Sequence, residues 1–96
     1  MIEVRATERF TAWVAALRDA RAKARVLERV RRIALGNFGD IAPVGEGVSE
    51  LRIHYGPGYR VYLVQRGPVA VILLCGGDKA SQPADIARAK QMAKDV

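Results

Sequence analysis

Apolar residues recur along the chain with a period that changes twice. Ile2, Val4 and Ala6 alternate with Glu3 and Arg5, the two-residue repeat of a short strand. Thr7 then stands at a helix N-cap position with Glu8 in the first turn, and Phe10, Trp13, Val14 and Leu17 fall at helical spacing. Beyond Asp19 the helical period resumes to about Leu35. Its buried stripe is Val26, Leu27, Val30, Ile33 and Ala34, while Arg21, Arg25, Arg29 and Arg32 run along the opposite side. Gly36 and Asn37 end it. The two patterns predict a helical hairpin that turns near Asp19.

Residues 37–47 are rich in glycine and carry Pro43, so they read as a loop returning to a sheet. Three strands are expected at 49–55, 59–65 and 69–75, joined by Gly56-Pro57-Gly58 and Arg66-Gly67-Pro68. Links this short make consecutive strands antiparallel neighbours. A last helix starts near Pro83, with Ile86, Ala87, Lys90 and Met92 giving a weakly amphipathic surface. No repeat or linker interrupts the chain. The expectation is one α+β domain over residues 1–96, in the order β-α-α-β-β-β-α. It has an antiparallel sheet, an N-terminal helical hairpin on one face and a short C-terminal helix.

Composition supports a core and narrows the chemistry. Half of the 96 residues are apolar, enough for a domain of this size to fold without staples. Cys75 is the only cysteine and lies in the run VAVILLC, which argues for a buried structural thiol and against a disulfide scaffold or thiolate zinc site. The first residues show no basic segment followed by a long apolar one, and no stretch reaches bilayer-spanning length, so a cytoplasmic protein without a membrane partner is expected. The net charge is +6, and twelve of the sixteen basic residues are arginine, whose planar fork binds phosphate and carboxylate bidentately. A polyanion, an acidic protein partner and a simply solvated basic surface are all consistent with that balance.

Strand alternation turns the hairpin around Gly56-Pro57-Gly58 into a candidate site. If Tyr55 pairs with Tyr59, then Leu51, Ile53, Tyr55, Tyr59, Val61 and Leu63 make an apolar face for the helices. His54 then lies opposite Arg60, and Arg52 opposite Tyr62, on a cationic face left uncovered. A slip of one residue on one strand would move its side chains to the other face. The same residues would also serve merely to solvate an exposed sheet.

The run Glu50-Leu51-Arg52-Ile53-His54-Tyr55-Gly56-Pro57-Gly58-Tyr59-Arg60-Val61-Tyr62, followed by Leu73-Leu74-Cys75-Gly76-Gly77-Asp78-Lys79 and a closing helix with Asp85-Ile86, resembles the RelE/ParE superfamily of bacterial toxins. It resembles in particular the HigB-like branch of short addiction-module killer proteins. With the first strand, the helical pair bearing Phe10 and Trp13, and the total length, the resemblance spans essentially the whole chain. It implies a RelE-like microbial RNase fold and the toxin of a type II toxin-antitoxin system. Its partner would be a cognate helix-turn-helix antitoxin, through which oligomers would form.

RelE-like and HigB-like members cut mRNA in the ribosomal decoding site without metal, whereas ParE-like members poison DNA gyrase. Under the first mechanism the ribosome and mRNA are partners, and no cofactor is expected. Cleavage needs activation of a ribose 2′-hydroxyl, cationic donors for the charge growing on phosphorus, and an acid for the leaving oxygen. Carried over from the resemblance, Arg60 and Lys79 neutralise phosphate, and Arg52 and Tyr62 contact substrate. His54 would exchange a proton, as suits a residue type with an ordinary pKa of about 6.5.

The chain departs from the RelE pattern in having no His or Tyr after Lys79. Gln82, Asp85 and Lys90 are the polar residues left, and Asp85 is the titrating substitute among them. That leaves three readings open: His54 or Tyr62 transfers the proton, a diffuse basic set does the work, or the protein inhibits gyrase or acts only by binding. Elsewhere, Trp13 reads as core from its phase with Phe10 and Leu17. The α-helical arginine stripe fits ribosomal RNA, an antitoxin or water equally. Gly76-Gly77 lacks the surroundings of a nucleotide-binding loop and reads as a tight exit from the sheet.

Overall fold

Two polar side chains decide where the first helices begin. The structure, a computed structural model, describes residues 1–96. After strand β1 (Glu3–Ala6), the Thr7 hydroxyl accepts from the Phe10 backbone N–H at 3.1 Å and opens helix α1 (Glu8–Ala16). The Asp19 carboxylate accepts from the N–H groups of Arg21 and Ala22 at 2.9 and 3.3 Å and opens α2 (Ala20–Ala34). Gly36, at φ +88°, lets the chain turn back so that its own N–H and that of Asn37 reach the carbonyls of Ile33 and Arg32. The helical hairpin is therefore as expected.

Four strands follow rather than three: β2 (Ile41–Gly45), β3 (Val48–Ile53), β4 (Tyr59–Arg66) and β5 (Ala70–Gly77), and then α3 (Gln82–Ala93). The segment read as a loop contains β2, which pairs antiparallel with β3 through the two-residue turn Glu46-Gly47. Both turn residues have positive φ, 55° and 80°, the mirror-image geometry that matches strand twist. Pro43 reads as a loop signal, but it is tolerated because β2 is an edge strand, and the register shifts between Pro43 and Gly45.

The sheet order is β1-β5-β4-β3-β2, with β1 parallel to β5 and every other pair antiparallel. The sheet is thus mixed, not wholly antiparallel. No hairpin ties β1 to its neighbour, and the long crossover through both helices brings it alongside β5 in the same direction. On one face Phe10 and Val14 of α1, with Val26 and Ile33 of α2, pack against Leu51, Ile53, Val61, Leu63, Val71 and Leu73. The predicted apolar face is the one the helices cover. Leu27, counted in the buried stripe, is 49% exposed; it lies off the line set by Ala22, Val26 and Ile33.

The opposite face is not open. Helix α3 lays Ala89 and Ala93 over Val48, Tyr62, Val64, Leu74 and Cys75, a second core. A bulge places Leu63 opposite Leu73 and Tyr62 opposite Cys75, so the extra residue Leu74 shares a face with Cys75. Burial, reinforced by the charge of Asp85, pushes the Cys75 thiol up to about 11. Trp13 wedges between the helices and the sheet, its ring centroid 6.0 Å from Phe10 and 6.2 Å from Tyr59. No helix is long and apolar enough to cross a membrane.

Trp13 also explains Gly76, because a Cβ built there would overlap the indole ring. Gly76→Ala is expected to destabilise the fold by about 1–3 kcal/mol through overpacking. Urea unfolding of the variant, followed by Trp13 fluorescence, measures this directly; an unchanged midpoint would remove the wedge role.

Candidate active site

Glu50 organises the cationic side chains. It is 1% exposed, on the face of β3 that α3 partly covers, and every partner it has comes from the sheet or from α3. Its Oε1 accepts from Arg52 Nε at 3.0 Å and lies 3.4 Å from Arg60 Nε. Its Oε2 accepts from Gln82 Nε2 at 2.7 Å and from the Tyr62 hydroxyl at 3.2 Å. Burial alone would raise this carboxyl, but the hydrogen bonds from Gln82, Arg52 and Tyr62 and the charge of Arg60 outweigh it, and the group titrates below its ordinary value.

Register brings these groups together. Arg52 pairs with Arg60 and Glu50 with Tyr62 across β3 and β4, where the simple turn would have paired His54 with Arg60 and Arg52 with Tyr62. The observed pairing ends at Ile53 and Tyr59, so the turn is longer by two residues, His54 and Tyr55, on one side of Gly56-Pro57-Gly58, and because the shift is even every side chain keeps its face. Two arginines directly opposite would repel; Glu50, two residues before Arg52 on the same strand face, offsets that repulsion. Arg60 is the better held of the two, its side chain 14% exposed and its Nη1 donating to Gly58 O at 2.9 Å. Its Nε is buried with no hydrogen bond and is held by charge alone. Lys79 is exposed beside it: its backbone N–H donates to Pro57 O at 3.3 Å, and a Cβ built on Gly58 would stand 3.3 Å from Arg60 Nη1 and 3.5 Å from Lys79 Cβ.

Of the predicted site residues, then, Arg52, Arg60 and Tyr62 converge on Glu50, and Lys79 borders Arg60. Tyr62 is fully buried, contrary to the uncovered face expected for it. Its phenol is pushed up by burial and by Glu50, and it stays a neutral donor to that carboxylate instead of meeting a ligand. His54 does not join the group. It follows the end of β3, is 77% exposed at its side chain, and places Nε2 2.5 Å from Asp40 Oδ2. There it lines a groove along α2 with Arg21, Arg25 and Arg32. Asp40 lies below the usual carboxylate range because of that bond, and its other oxygen is 4.0 Å from Arg52 Nη1. The imidazole thus reaches the Glu50 cluster only through Asp40 and Arg52.

The arginine stripe has structural work. Arg29 donates to the carbonyls of Arg52, Phe38 and Asp40 at 2.5, 3.1 and 3.3 Å, clamping the approach to β2. Arg25 lies 4.7 Å above the Tyr55 ring, and the Tyr55 hydroxyl donates to Asp19 at 2.9 Å, tying the hairpin turn to the start of α2. Asp85, the titrating substitute near the C-terminus, is buried, accepting from Ser81 Oγ at 2.5 Å and from Arg88 at 3.3 Å. No three His, Cys, Asp or Glu side chains come together as a ligand set for a metal ion.

The sequence pointed to no role for Glu50 or Asp40, and named Gln82 only as a polar residue after Lys79. Glu50 had a legible signal, since strand alternation puts it on the same face as Arg52, whereas Gln82 and Asp40 reach the cluster only across the fold, Gln82 through Glu50 32 residues away and Asp40 through Arg52.

No family model matches the chain. Over 95 residues it is 48% identical to an uncharacterized protein of Haemophilus influenzae, a match that covers 99% of this chain and 96% of that one. The two proteins belong to one family. At that coverage the similarity runs from β1 through α3 and takes in both the Glu50 cluster and the groove of His54.

Because the folded-state value of Glu50 is depressed, its ionised form stabilises the fold fully above the ordinary carboxyl range, and that stability is lost as pH falls through the lower folded value. Glu50→Gln should therefore flatten the acid limb of stability between about pH 5 and 3. Glu50→Ala, which leaves Arg60 without its counter-charge, should cost about 3–5 kcal/mol at pH 7. Denaturant unfolding across that pH range checks both, and equal acid sensitivity in wild type and Glu50→Gln would remove Glu50 as the titrating anchor.

Proposed function

We propose that the protein is the toxin of a type II toxin-antitoxin system, with the RelE-like fold, and that it acts in the cytoplasm as a metal-independent endoribonuclease on ribosome-bound mRNA. The observation that carries this reading is the Arg60 guanidinium. It is held nearly buried by Glu50 and Gly58, next to the exposed Lys79. A guanidinium fixed in place before substrate arrives stabilises the negative charge that grows on phosphorus without reorganising, the most effective form of electrostatic catalysis. Lys79 adds a second, exposed cation, and Arg52 extends the positive surface toward the backbone of the bound strand. The net charge of +6 favours approach to ribosomal RNA, and the resemblance of residues 50–62 and 73–79 to the HigB-like branch supplies the ribosome as target and a helix-turn-helix antitoxin as partner.

A second reading has an observation of its own. Tyr62 is buried, His54 faces the α2 groove, and Asp85 is bound by Ser81 and Arg88, so no exposed proton-transfer group stands beside Arg60. A gyrase inhibitor, which needs a basic binding face and no acid or base, fits that arrangement.

Under the nuclease reading, induced expression yields mRNA with new 5′ ends at codon positions. Arg60→Ala abolishes growth arrest, with a loss of about 100-fold or more in cleavage rate and an unchanged circular dichroism spectrum. Intact message accompanied by DNA damage would transfer the assignment to gyrase, and full toxicity of Arg60→Ala would remove the site.

A further inference from the structure

Strand β1 ends at Ala6, opposite Leu73, while β5 continues to Gly77. The edge of residues 75–77 that faces away from β4 therefore has no strand beside it. Helices α1 and α3 wall this bare edge into a cleft of about 710 Å³, within the usual range of about 300–1,000 Å³ for ligand sites. Its floor carries no side chain at two successive positions: Trp13 presses on Gly76 and Asp85 on Gly77, each where a Cβ would otherwise stand. Glu8 and Arg9 line the α1 wall and are exposed, and Arg88 lines the α3 wall. The cleft adjoins the Arg60 site, because Gly77 is the ladder partner of Arg60 and Lys79 follows two residues later.

We propose that this cleft is a nucleobase subsite, taking the base attached to the phosphate that Arg60 and Lys79 hold, and that it prefers bases with an exocyclic amine over uracil. The inference rests on the reading of Arg60 and Lys79 as a phosphate site. Trp13 and Asp85 cover the faces of Gly76 and Gly77, so a flat ring would enter edge-on, with the unpaired edge of residues 75–77 presenting peptide donors and acceptors to the rim of a base. The Arg9 guanidinium, free of any partner within the chain, supplies a plane for stacking, and the carboxylates of Glu8 and Asp78 are acceptors for an amine. Uracil offers no exocyclic amine to them. An added peptide strand fits less well, since three residues of edge are only about 10 Å long and helices close both walls.

The test is amide NMR of the full chain titrated with the four ribonucleosides, the four ribonucleoside 3′-monophosphates, and inorganic phosphate. Adenine, cytosine and guanine compounds should shift the amides of Cys75, Gly76 and Gly77 and the indole N–H of Trp13. Uracil compounds should bind about tenfold more weakly or less. Ala12→Trp, at an exposed position on the α1 wall, should fill the cleft and abolish those shifts while phosphate still moves the amides of Arg60 and Lys79. Arg9→Ala should weaken the base-dependent shifts several-fold without affecting phosphate.

Equal binding of all four bases, shifts that avoid Cys75–Gly77, or indifference to Ala12→Trp would overturn the subsite. Saturation of the same amides by an acidic peptide and by no nucleoside would also overturn it. The two assignments fail separately: nucleosides without phosphate report the cleft alone, and inorganic phosphate reports Arg60 and Lys79 alone.

Discussion

One buried carboxylate ties β3, β4 and the start of α3 together. Glu50 sits where water cannot reach it, and an isolated charge in such a place is costly enough that it must be neutralised or surrounded by donors. The fold surrounds it with Arg52 and Arg60 from adjacent strand positions, Tyr62 from directly opposite, and Gln82 from the start of α3. Each of those elements is consequently fixed relative to the others. The antiparallel register of β3 and β4, the docking of α3, and the aim of Arg60 at the turn are three aspects of satisfying a single anion.

Under the proposed function, this arrangement resolves a conflict between stability and activity. A guanidinium that is to bind phosphate must remain available to it, yet a flexible arginine side chain loses rotameric freedom when it binds. Holding Arg60 by Glu50 and by Gly58 O meets that cost during folding, so the cation is already placed when an anionic ligand arrives. Lys79 is left exposed at the rim. The His54–Asp40 pair lies on the far side of Arg52, against the arginine groove of α2, so the molecule separates its imidazole from its best-held cation.

Both faces of the sheet are used, for different ends. Helices α1 and α2 cover one face with large apolar side chains and give the fold its main core. Helix α3 covers the other with alanines, a thin layer that lets it approach closely enough for Gln82 and Asp85 to touch the sheet at Glu50 and Gly77. Between α1 and α3 the early end of β1 leaves backbone uncovered, and the cleft there is a consequence of strand length rather than of side-chain chemistry.

Local chemistry written in the chain determined both helix starts, at Thr7 and Asp19, the stop at Gly36, the three central strands and the face of β3 and β4 that turns to the core. These depend on capping groups, glycine conformation and side-chain period, all set within a few residues. The edge strand β2 was hidden because Pro43 and Gly45 read as loop signals in isolation and become acceptable only at a sheet edge. The parallel pairing of β1, the cover laid by α3 and the separation of His54 from Arg60 belong to the tertiary structure alone. They follow from contacts between segments tens of residues apart, whose free energies come from burial and charge neutralisation that no local pattern records.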